Sequence, residues 1–335
     1  MTLADKLTAQ LQNNAASTLA FISRRCLRTR FHGSSCDRCA KECRVEAISF
    51  APGNIAIDPQ RCVGCLACTA VCPAEALMSN DPRLAAAPER AAGRQRLFFC
   101  CENGIRSGEE IVLPCLGALS LEELAAHAAT AEIILFLAPC RNCRSAAVAE
   151  ILGRRVADLA ARLEDAGLSA AIRLQLTEAA AGDQASSASR RAFFRAFGHL
   201  SFHAAVETMT ALREETGPKE AQGHRHLPGR LALLQRAGSV ANDPARRAAL
   251  FRLFFTLSAN DACNFCGGCA GMCPSGALRN IREEGGKNLA FDWAKCSGCG
   301  LCLEFCRKKA LTLVAGRSPE ACTAEREILF ARTAS

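Results

Sequence analysis

The sequence contains no apolar run long enough to cross a lipid bilayer. A membrane-spanning helix needs about 18 or more apolar residues in succession, and no stretch of the 335 residues approaches that length. Residues 1–26 carry acidic and amide side chains where a signal peptide needs an unbroken apolar segment. We therefore expect a cytoplasmic protein with no integral membrane segment.

Aromatic residues account for only 5% of the chain and tyrosine is absent, although half of all residues are hydrophobic. Nucleotide-binding motifs are missing as well. No G-x-G-x-x-G run follows a predicted strand and no P-loop occurs, so nothing supports a bound dinucleotide or nucleotide. His199 and His203 stand four residues apart on a predicted helix, but without an H-E-x-x-H motif or a third ligand we assign them to packing or to the surface. No general acid, base or nucleophile is identifiable.

Cysteine, in contrast, is abundant, with 22 residues, most of them in four closely spaced runs. Three runs have the spacing Cys-x2-Cys-x2-Cys-x3-Cys, and a fourth lacks its first cysteine and has Gly33 in that place. This is the spacing of bacterial [4Fe–4S] proteins, in which three thiolates bind one cluster and the fourth cysteine binds the neighbouring cluster. Zinc is the alternative, but zinc ribbons use two Cys-x2-Cys pairs and do not need four cysteines in one run. The spacing therefore predicts paired clusters and electron transfer.

Because the fourth cysteine of each run binds the neighbouring cluster, the cysteines group into four predicted ligand sets. The first set is Cys26, Cys36, Cys39 and Cys72, and the second set is Cys43, Cys62, Cys65 and Cys68. The third set is Cys263, Cys266, Cys269 and Cys306, and the fourth set is Cys273, Cys296, Cys299 and Cys302.

Cys26 is the least regular member of these sets. It precedes Cys36 by a loop that contains Gly33 and two serines, so the chain could fold back and supply the missing thiol. The alternatives are a [3Fe–4S] cluster, a non-cysteine ligand such as His32, or a Cys26 that is only a small buried hydrophobe.

The formal net charge of +8 could indicate a nucleic-acid partner, but this count treats every cysteine as neutral. An oxidised [4Fe–4S] cluster with four thiolates carries about −2, so four clusters would add about −8. We therefore predict no nucleic-acid partner and expect basic residues near the cysteines to compensate cluster charge. These residues are Arg24, Arg25, Arg38, Lys41, Arg44, Arg61, Lys295, Arg307, Lys308 and Lys309.

Two ferredoxin-like units repeat the same plan near the two ends of the chain. Pro52-Gly53-Asn54 marks a hairpin between the cysteine runs of the first unit, and Gly285-Gly286 marks the corresponding turn of the second. The predicted division is an N-terminal helix over 1–23, a 2[4Fe–4S] ferredoxin-like unit over 24–90, an α/β domain over 91–180, a helical connector over 181–258, a second 2[4Fe–4S] unit over 259–320 and a C-terminal tail over 321–335.

Between these units, short apolar runs alternate with helical segments, which predicts a small doubly wound parallel sheet. The predicted strands are Arg96–Cys100, Glu110–Cys115, Glu132–Leu137 and Ala171–Leu176, and the predicted helices are Leu119–Ala129 and Ser145–Ala166. The predicted fold class is thus α/β in the middle domain and ferredoxin-like α+β in the flanking units.

A further group of cysteines follows the predicted strands of the α/β domain. Because the carboxyl ends of parallel strands meet at one edge of a sheet, we expect Cys115, Cys140 and Cys143 to converge there with either Cys100 or Cys101. The middle set is therefore predicted as Cys101, Cys115, Cys140 and Cys143, with Cys100 competing for the first place. Four thiolates at this edge predict a fifth iron–sulfur site, of the [2Fe–2S] type. The alternatives are zinc, a redox-active disulfide and inert buried cysteines.

Residues 91–180 resemble the small iron–sulfur delta subunit of methyl-viologen-reducing hydrogenases, which links a hydrogenase to heterodisulfide reductase. The resemblance rests on a cysteine after the first strand, VLPCLGALSLEEL around Cys115, ILFLAPCRNC at Cys140 and Cys143, and EDAGL after a long helix. The sequence departs from that family at Arg144, since the family has a longer spacing between its last two cysteines and then a histidine. The flanking units resemble two-cluster bacterial ferredoxins.

These features predict a non-catalytic iron–sulfur subunit that relays electrons between a catalytic oxidoreductase and another redox carrier. The expected catalytic partner is a hydrogenase, a heterodisulfide-reductase-like enzyme or a molybdenum or tungsten enzyme, and the second partner is a soluble ferredoxin or flavoprotein. One alternative is a redox enzyme that acts on a disulfide or sulfur compound at the middle set. Another is an iron–sulfur sensor or regulator, although the connector contains no recognisable helix-turn-helix.

Overall fold

The computed structural model describes residues 19–51, 54–105, 108–163, 170–176, 225–241, 243–283, 286–318 and 327–333. Antiparallel strand pairs form near both ends of the chain, and a four-stranded parallel sheet forms between them. The predicted mixture of helices and strands, with a parallel sheet in the middle region, is confirmed. No helix in the described part of the chain is long and apolar enough to cross a membrane.

The N-terminal unit consists of short strands and short helices around its cysteines. Its strands are β1 (Leu19–Phe21), β2 (Ile48–Ala51), β3 (Asn54–Ile57) and β4 (Leu77–Ser79), and its helices are α1 (Leu27–Arg30), α2 (Arg38–Glu42) and α3 (Ala67–Val71). Strand β2 pairs with β3 and β1 pairs with β4, both antiparallel. The predicted hairpin strands are therefore present, while residues 52 and 53 lie outside the described part of the chain.

The prediction of a helix over residues 1–23 is wrong for the last residues of that segment. Leu19–Phe21 form strand β1, which pairs with Leu77–Ser79. This pairing satisfies backbone N–H and C=O groups of both segments. Leu19 and Phe21 also pack on the apolar core around the first set. Residues 1–18 of the predicted helix lie outside the described residues.

The middle region contains the parallel sheet. Its strands are β5 (Arg96–Cys100), β6 (Ile111–Val112), β7 (Glu132–Phe136) and β8 (Ile172–Gln175), and its helices are α4 (Pro82–Ala91), α5 (Leu121–Ala128) and α6 (Ala147–Leu163). All four strands are parallel, in the order β6-β5-β7-β8. Phe99 and Leu135 are buried in its core. Strand β6 is shorter than the predicted Glu110–Cys115, since Pro114 has no N–H to donate to a neighbouring strand.

The described part of the predicted connector packs on the core of the parallel sheet. It forms helices α7 (Gly229–Val240) and α8 (Pro244–Phe251). Leu234 and Leu250 are buried in the same apolar cluster as the residues of β5 and β7. These two helices therefore stabilise the middle domain. Residues 181–224 of the predicted connector lie outside the described residues.

Asp243 caps the N-terminus of α8, where its side chain accepts hydrogen bonds from the backbone N–H groups of Ala245 and Arg246. We expect Asp243→Ala to lower the free energy of unfolding by about 0.5–2 kcal/mol, because these donors lose their acceptor. Chemical denaturation followed by circular dichroism measures this change. Asp243→Asn keeps an acceptor oxygen and should retain most of the stability, so equal losses in both variants would contradict the capping role.

The C-terminal unit repeats the plan of the N-terminal unit and adds one strand. Its strands are β9 (Phe255–Ala259), β10 (Leu278–Glu283), β11 (Gly286–Phe291), β12 (Leu311–Ala315) and β13 (Glu327–Thr333), and its helices are α9 (Gly268–Met272) and α10 (Leu301–Phe305). The pairs β10–β11 and β9–β12 correspond to β2–β3 and β1–β4. Strand β13 pairs antiparallel with β11, so the segment predicted only as a C-terminal tail contributes to the sheet.

Candidate metal centres

Each complete cysteine run folds as a tight loop that leads into a short helix. The residues on either side of the second cysteine adopt the left-handed backbone region, which glycine enters most easily. These pairs are Gly64 (φ 69°) and Leu66 (φ 59°), Phe265 (φ 58°) and Gly267 (φ 74°), and Gly298 (φ 62°) and Gly300 (φ 79°). Backbone in this conformation can turn its N–H groups toward a common centre. In the second set, burial raises the pKa of Cys65, and the nearby backbone N–H of Ala67 acts in the opposite direction.

The last cysteine of three runs accepts a hydrogen bond from the backbone N–H four residues further on. The N to Sγ distances are 3.3 Å from Ala47 to Cys43, 3.2 Å from Ala76 to Cys72, and 3.4 Å from Ala310 to Cys306. Hydrogen bonds to a ligand sulfur stabilise its negative charge and tune the potential of the metal centre. The loops thus provide both thiols and donors to those thiols.

The first set lines a cavity within the N-terminal unit. Cys26, Cys36, Cys39 and Cys72 all contribute to its wall. Burial, together with the neighbouring thiols of this set, raises the pKa of Cys39 to about 12. The structure therefore brings Cys26 together with the other three cysteines. His32, the predicted alternative ligand, is exposed and does not line this cavity.

Gly33 occupies the place of the missing cysteine, and the space beside it is filled by an aromatic ring. A Cβ atom on Gly33 would lie 2.5 Å from Cζ of Phe31, well inside van der Waals contact. Phe31 in turn packs edge-on against Phe305 of the C-terminal unit, with ring centroids 5.3 Å apart. A side chain at position 33 would have to displace this ring.

The second set is brought together around Cys68. Burial raises the pKa of this thiol, and nearby Cys65, Cys62 and Cys43 raise it further. Cys43 thus crosses from the other cysteine run of the unit, as the spacing predicts. Cys39 also contributes to the raised pKa of Cys68, which identifies the first and second sets as neighbours.

The third set is brought together in the same way in the C-terminal unit. Burial raises the pKa of Cys269 to about 11, and the thiols of Cys263, Cys266 and Cys306 act in the same direction. Cys306 thus reaches this set from the second run. Cys266 is exposed at the surface.

The fourth set lies beside the third. Burial raises the pKa of Cys296 to about 12, and Cys299 and Cys273 contribute. Burial also raises the pKa of Cys302. Four nearby thiols raise it further, namely Cys299, Cys296, Cys273 and, from the third set, Cys269. The two sets of this unit are therefore neighbours, as in the N-terminal unit.

The middle set lies beyond the carboxyl ends of the parallel strands. Burial raises the pKa of Cys115 to about 12, with contributions from Cys65, Cys140 and Cys101. Burial likewise raises the pKa of Cys140 to about 11, with contributions from Cys101 and Cys143. The four predicted members thus lie close together, and Cys115 also lies near the second set.

Cys100 differs from Cys101 in the direction of its side chain. Cys100 is the last residue of β5 and is fully buried, at 0% exposure. Burial and nearby Glu110 raise its pKa to about 11. Because successive side chains of an extended chain point to opposite sides, Cys100 faces the interior while Cys101 lies near Cys115 and Cys140.

Arg155 of helix α6 joins the middle set to the second set. Its guanidinium is buried and donates to the carbonyl oxygens of Gly117 (2.8 Å), Leu119 (2.6 Å) and Ala67 (3.3 Å). It also donates to the carboxylate of Glu42 at 2.7 Å. The loop that follows Cys115 is thereby held against the helix of the second set.

Arg155 is a residue that sequence reasoning missed. It lies on the same buried face of α6 as Ile151, Leu152 and Leu159. Arginine is rarely buried without partners. An arginine at helical spacing among apolar residues therefore indicates a buried, hydrogen-bonded side chain, and this pattern is visible in the sequence around Arg155.

The prediction that the nearby basic residues compensate cluster charge is too broad. Arg38 does lie beside the thiols of Cys36 and Cys299. Other members of that group instead form ion pairs with carboxylates. These pairs are Lys41 with Asp37, Arg44 with Glu150, Arg61 with Glu46, and Lys295 with Asp292.

The donor sets suit iron–sulfur clusters. Soft thiolate ligands select such clusters over hard cations, and loading would release protons from thiols whose pKa is raised. Within the described residues, no three His, Cys, Asp or Glu side chains converge closely enough to hold a single metal ion. A cubane cluster instead distributes its thiolates over separate irons.

Comparisons with known proteins agree with this geometry. Models of the 4Fe-4S dicluster domain match residues 34–76 and 257–307. Pyruvate synthase subunit PorD of Methanocaldococcus jannaschii is 32% identical over 73 residues, which cover 22% of this chain and 81% of that protein. A ferredoxin of Alicyclobacillus acidocaldarius is 37% identical over 49 residues, or 15% of this chain and 63% of that protein. No solved structure matches the chain.

The two matched dicluster domains and these relatives define an iron–sulfur protein with an electron-transfer role. The chain belongs to the 4Fe–4S dicluster ferredoxin family and carries one dicluster domain near each end.

Proposed function

We propose that this chain is the non-catalytic electron-transfer subunit of an oxidoreductase complex and holds five iron–sulfur centres. The observation that carries this proposal is that the described chain brings together five groups of four cysteines, four of which lie in the two units that the dicluster-domain models match. When bound, such clusters exchange single electrons at potentials set by charge, hydrogen bonds to sulfur and exposure. The thiols hold the clusters, and the backbone N–H groups of the loops orient and tune the sulfur ligands.

The ligand assignment follows the five sets. The first, second, third and fourth sets each hold a [4Fe–4S] cluster, and the middle set holds a [2Fe–2S] cluster at the edge of the parallel sheet. The resemblance of residues 91–180 to the hydrogenase delta subunit supports the middle centre. The proposed domain division is the predicted one, with helices α7 and α8 assigned to the middle domain because they share its apolar core.

The proposed partners are a catalytic oxidoreductase and a second redox carrier. Similarity to a pyruvate synthase subunit supports the first of these. The resemblance of the middle domain favours a hydrogenase or a heterodisulfide-reductase-like enzyme as the catalytic partner, with a molybdenum or tungsten enzyme as a further candidate. A soluble ferredoxin or flavoprotein is the proposed second carrier.

Iron content tests this proposal. Anaerobically purified and reconstituted full-length protein should hold about 18 irons per chain, four in each cubane and two at the middle set. Cys143→Ser should remove about two of these irons together with the EPR signal of the middle centre. Cys100→Ala is the matched control and should keep the full iron content, because Cys100 faces the interior of the sheet.

Three outcomes would count against the proposal in different ways. Fewer than about 12 irons per chain would overturn the multi-cluster assignment. An unchanged iron content in Cys143→Ser would show that the middle set holds no cluster, and the assignment would then have four centres. Reduction of a disulfide by the isolated full-length chain with dithionite as the electron donor, lost in Cys143→Ser, would favour an enzyme with its active site at the middle set.

A further inference from the structure

The two ferredoxin units meet at a contact where a cysteine from each unit packs against the same apolar cluster. The apolar centre of this contact, here called the seam, consists of Leu27 and Ala74 from the N-terminal unit and Leu301 from the C-terminal unit, each 3% exposed or less. Cys36 of the first set and Cys299 of the fourth set pack against this same cluster. The first and fourth sets therefore approach each other through an apolar contact.

Two arginines of the N-terminal unit cross the seam. Nη2 of Arg38 donates to the carbonyl oxygen of Gly298 at 2.9 Å, and Nε of Arg30 donates to the carbonyl oxygen of Met272 at 3.3 Å. Each of these carbonyls belongs to the residue immediately before a fourth-set cysteine. Arg38 itself immediately precedes a first-set cysteine, so its positive charge lies between the two sets.

Polar and aromatic contacts enclose the seam. Ser35 donates from its backbone N–H and from its hydroxyl to Oε1 of Glu304, at 3.1 Å and 2.6 Å. Phe31 packs against Phe305 on the same side. Burial of apolar surface, charge-assisted hydrogen bonds and an aromatic pair thus act together to hold the units in one arrangement.

The other pairs of neighbouring thiol sets are identified by contacts within each ferredoxin unit and by a contact with the middle domain. A Cβ atom on Gly117 would lie 2.2 Å from the carbonyl oxygen of Cys65, so the loop after Cys115 touches the second set directly. The second set adjoins the first through Cys68 and Cys39, and the fourth adjoins the third through the thiols described above. Each set therefore has one or two neighbouring sets.

We infer that the seam joins the two ferredoxin units into one continuous array, in the order middle, second, first, fourth and third set, and that Arg38 positions the first and fourth sets against each other. This inference rests on the proposed function, because the sets must hold clusters for the array to conduct electrons. The array has two ends. One is the middle set, and the other is the third set, which includes the exposed Cys266.

The test is a potentiometric EPR titration of the full-length, cluster-loaded protein and its variants. Arg38→Gln should lower the reduction potentials of two centres, one in each unit, because it removes a positive charge that lies beside both. Arg38→Lys should restore most of this shift. The control is Arg162→Gln, which alters an exposed ion pair with Asp158 on helix α6 and should leave every potential unchanged. Cys36→Ser and Cys299→Ser assign the signals of the two centres.

A second measurement does not depend on charge. The fully reduced wild-type protein should show spin coupling between the two units, and Phe305→Leu, which loosens the seam without changing charge, should weaken it. A shift confined to one centre in Arg38→Gln, or full iron content without coupling between units, would overturn the array while leaving the proposed function intact. An iron content below about 12 per chain would overturn the proposed function itself.

Discussion

Replacing Cys26 with alanine should convert the first centre from a [4Fe–4S] to a [3Fe–4S] cluster, with loss of about one iron per chain. Cys26 is buried and lines the same cavity as the other three cysteines of the first set. With three thiolates left, one corner of the cubane has no protein ligand. EPR of the oxidised protein measures the change, because an oxidised [3Fe–4S] cluster is paramagnetic and an oxidised [4Fe–4S] cluster is not.

Cys100→Ala serves as the matched control, since it removes another buried cysteine outside the proposed sets. A Cys26→Ala protein with full iron content and no new signal would show that another group completes the first set. The double variant Cys26→Ala/Gly33→Cys restores the regular spacing of the run. We expect it to remain defective, because a Cβ atom at position 33 meets the ring of Phe31.

Replacing Arg155 with methionine should lower the free energy of unfolding by about 3–5 kcal/mol. Methionine has a similar length but cannot donate to the carboxylate of Glu42 or to the three carbonyl oxygens that Arg155 serves. Arg155 is 7% exposed and the side chain of Glu42 only 12%, so water replaces these hydrogen bonds poorly. Chemical denaturation under anaerobic conditions measures the loss.

Arg162→Met is the control for this prediction. Arg162 lies on the same helix and pairs with Asp158, but the two side chains are 41% and 47% exposed. Such surface pairs contribute about 0–1 kcal/mol, and we expect a change of that size. A similar small change in Arg155→Met would mean that its buried contacts do not stabilise the fold.

Segments whose pattern is local were predicted well from the sequence. Strand β5 has the predicted bounds Arg96–Cys100, and β2 and β3 flank the predicted turn at Pro52-Gly53. Alternation, apolar content and turn residues act within a few positions of the chain, so they can be recognised without knowledge of the fold.

Segments that depend on a distant partner were predicted poorly. Leu19–Phe21 was expected to be helical, and Glu327–Thr333 was expected to be a tail, yet both are strands. Each pairs with a strand that lies elsewhere in the sequence, β4 in the first case and β11 in the second. Isolated strands have no local hydrogen-bond partners, so their formation depends on which edge they reach.

The ligand sets of the candidate centres likewise depend partly on local cysteine spacing and partly on the fold. Cysteine spacing predicts how the thiols of the regular runs are grouped, because the reach of a short loop limits which sulfurs can share a cluster. The proximity of Cys26 to the first set, the position of Cys101 near the other middle-set thiols, and the contact of Cys36 with the seam required the folded chain. In each case the outcome depends on side-chain direction and on packing between distant segments, and neither is encoded in the spacing of residues along one run.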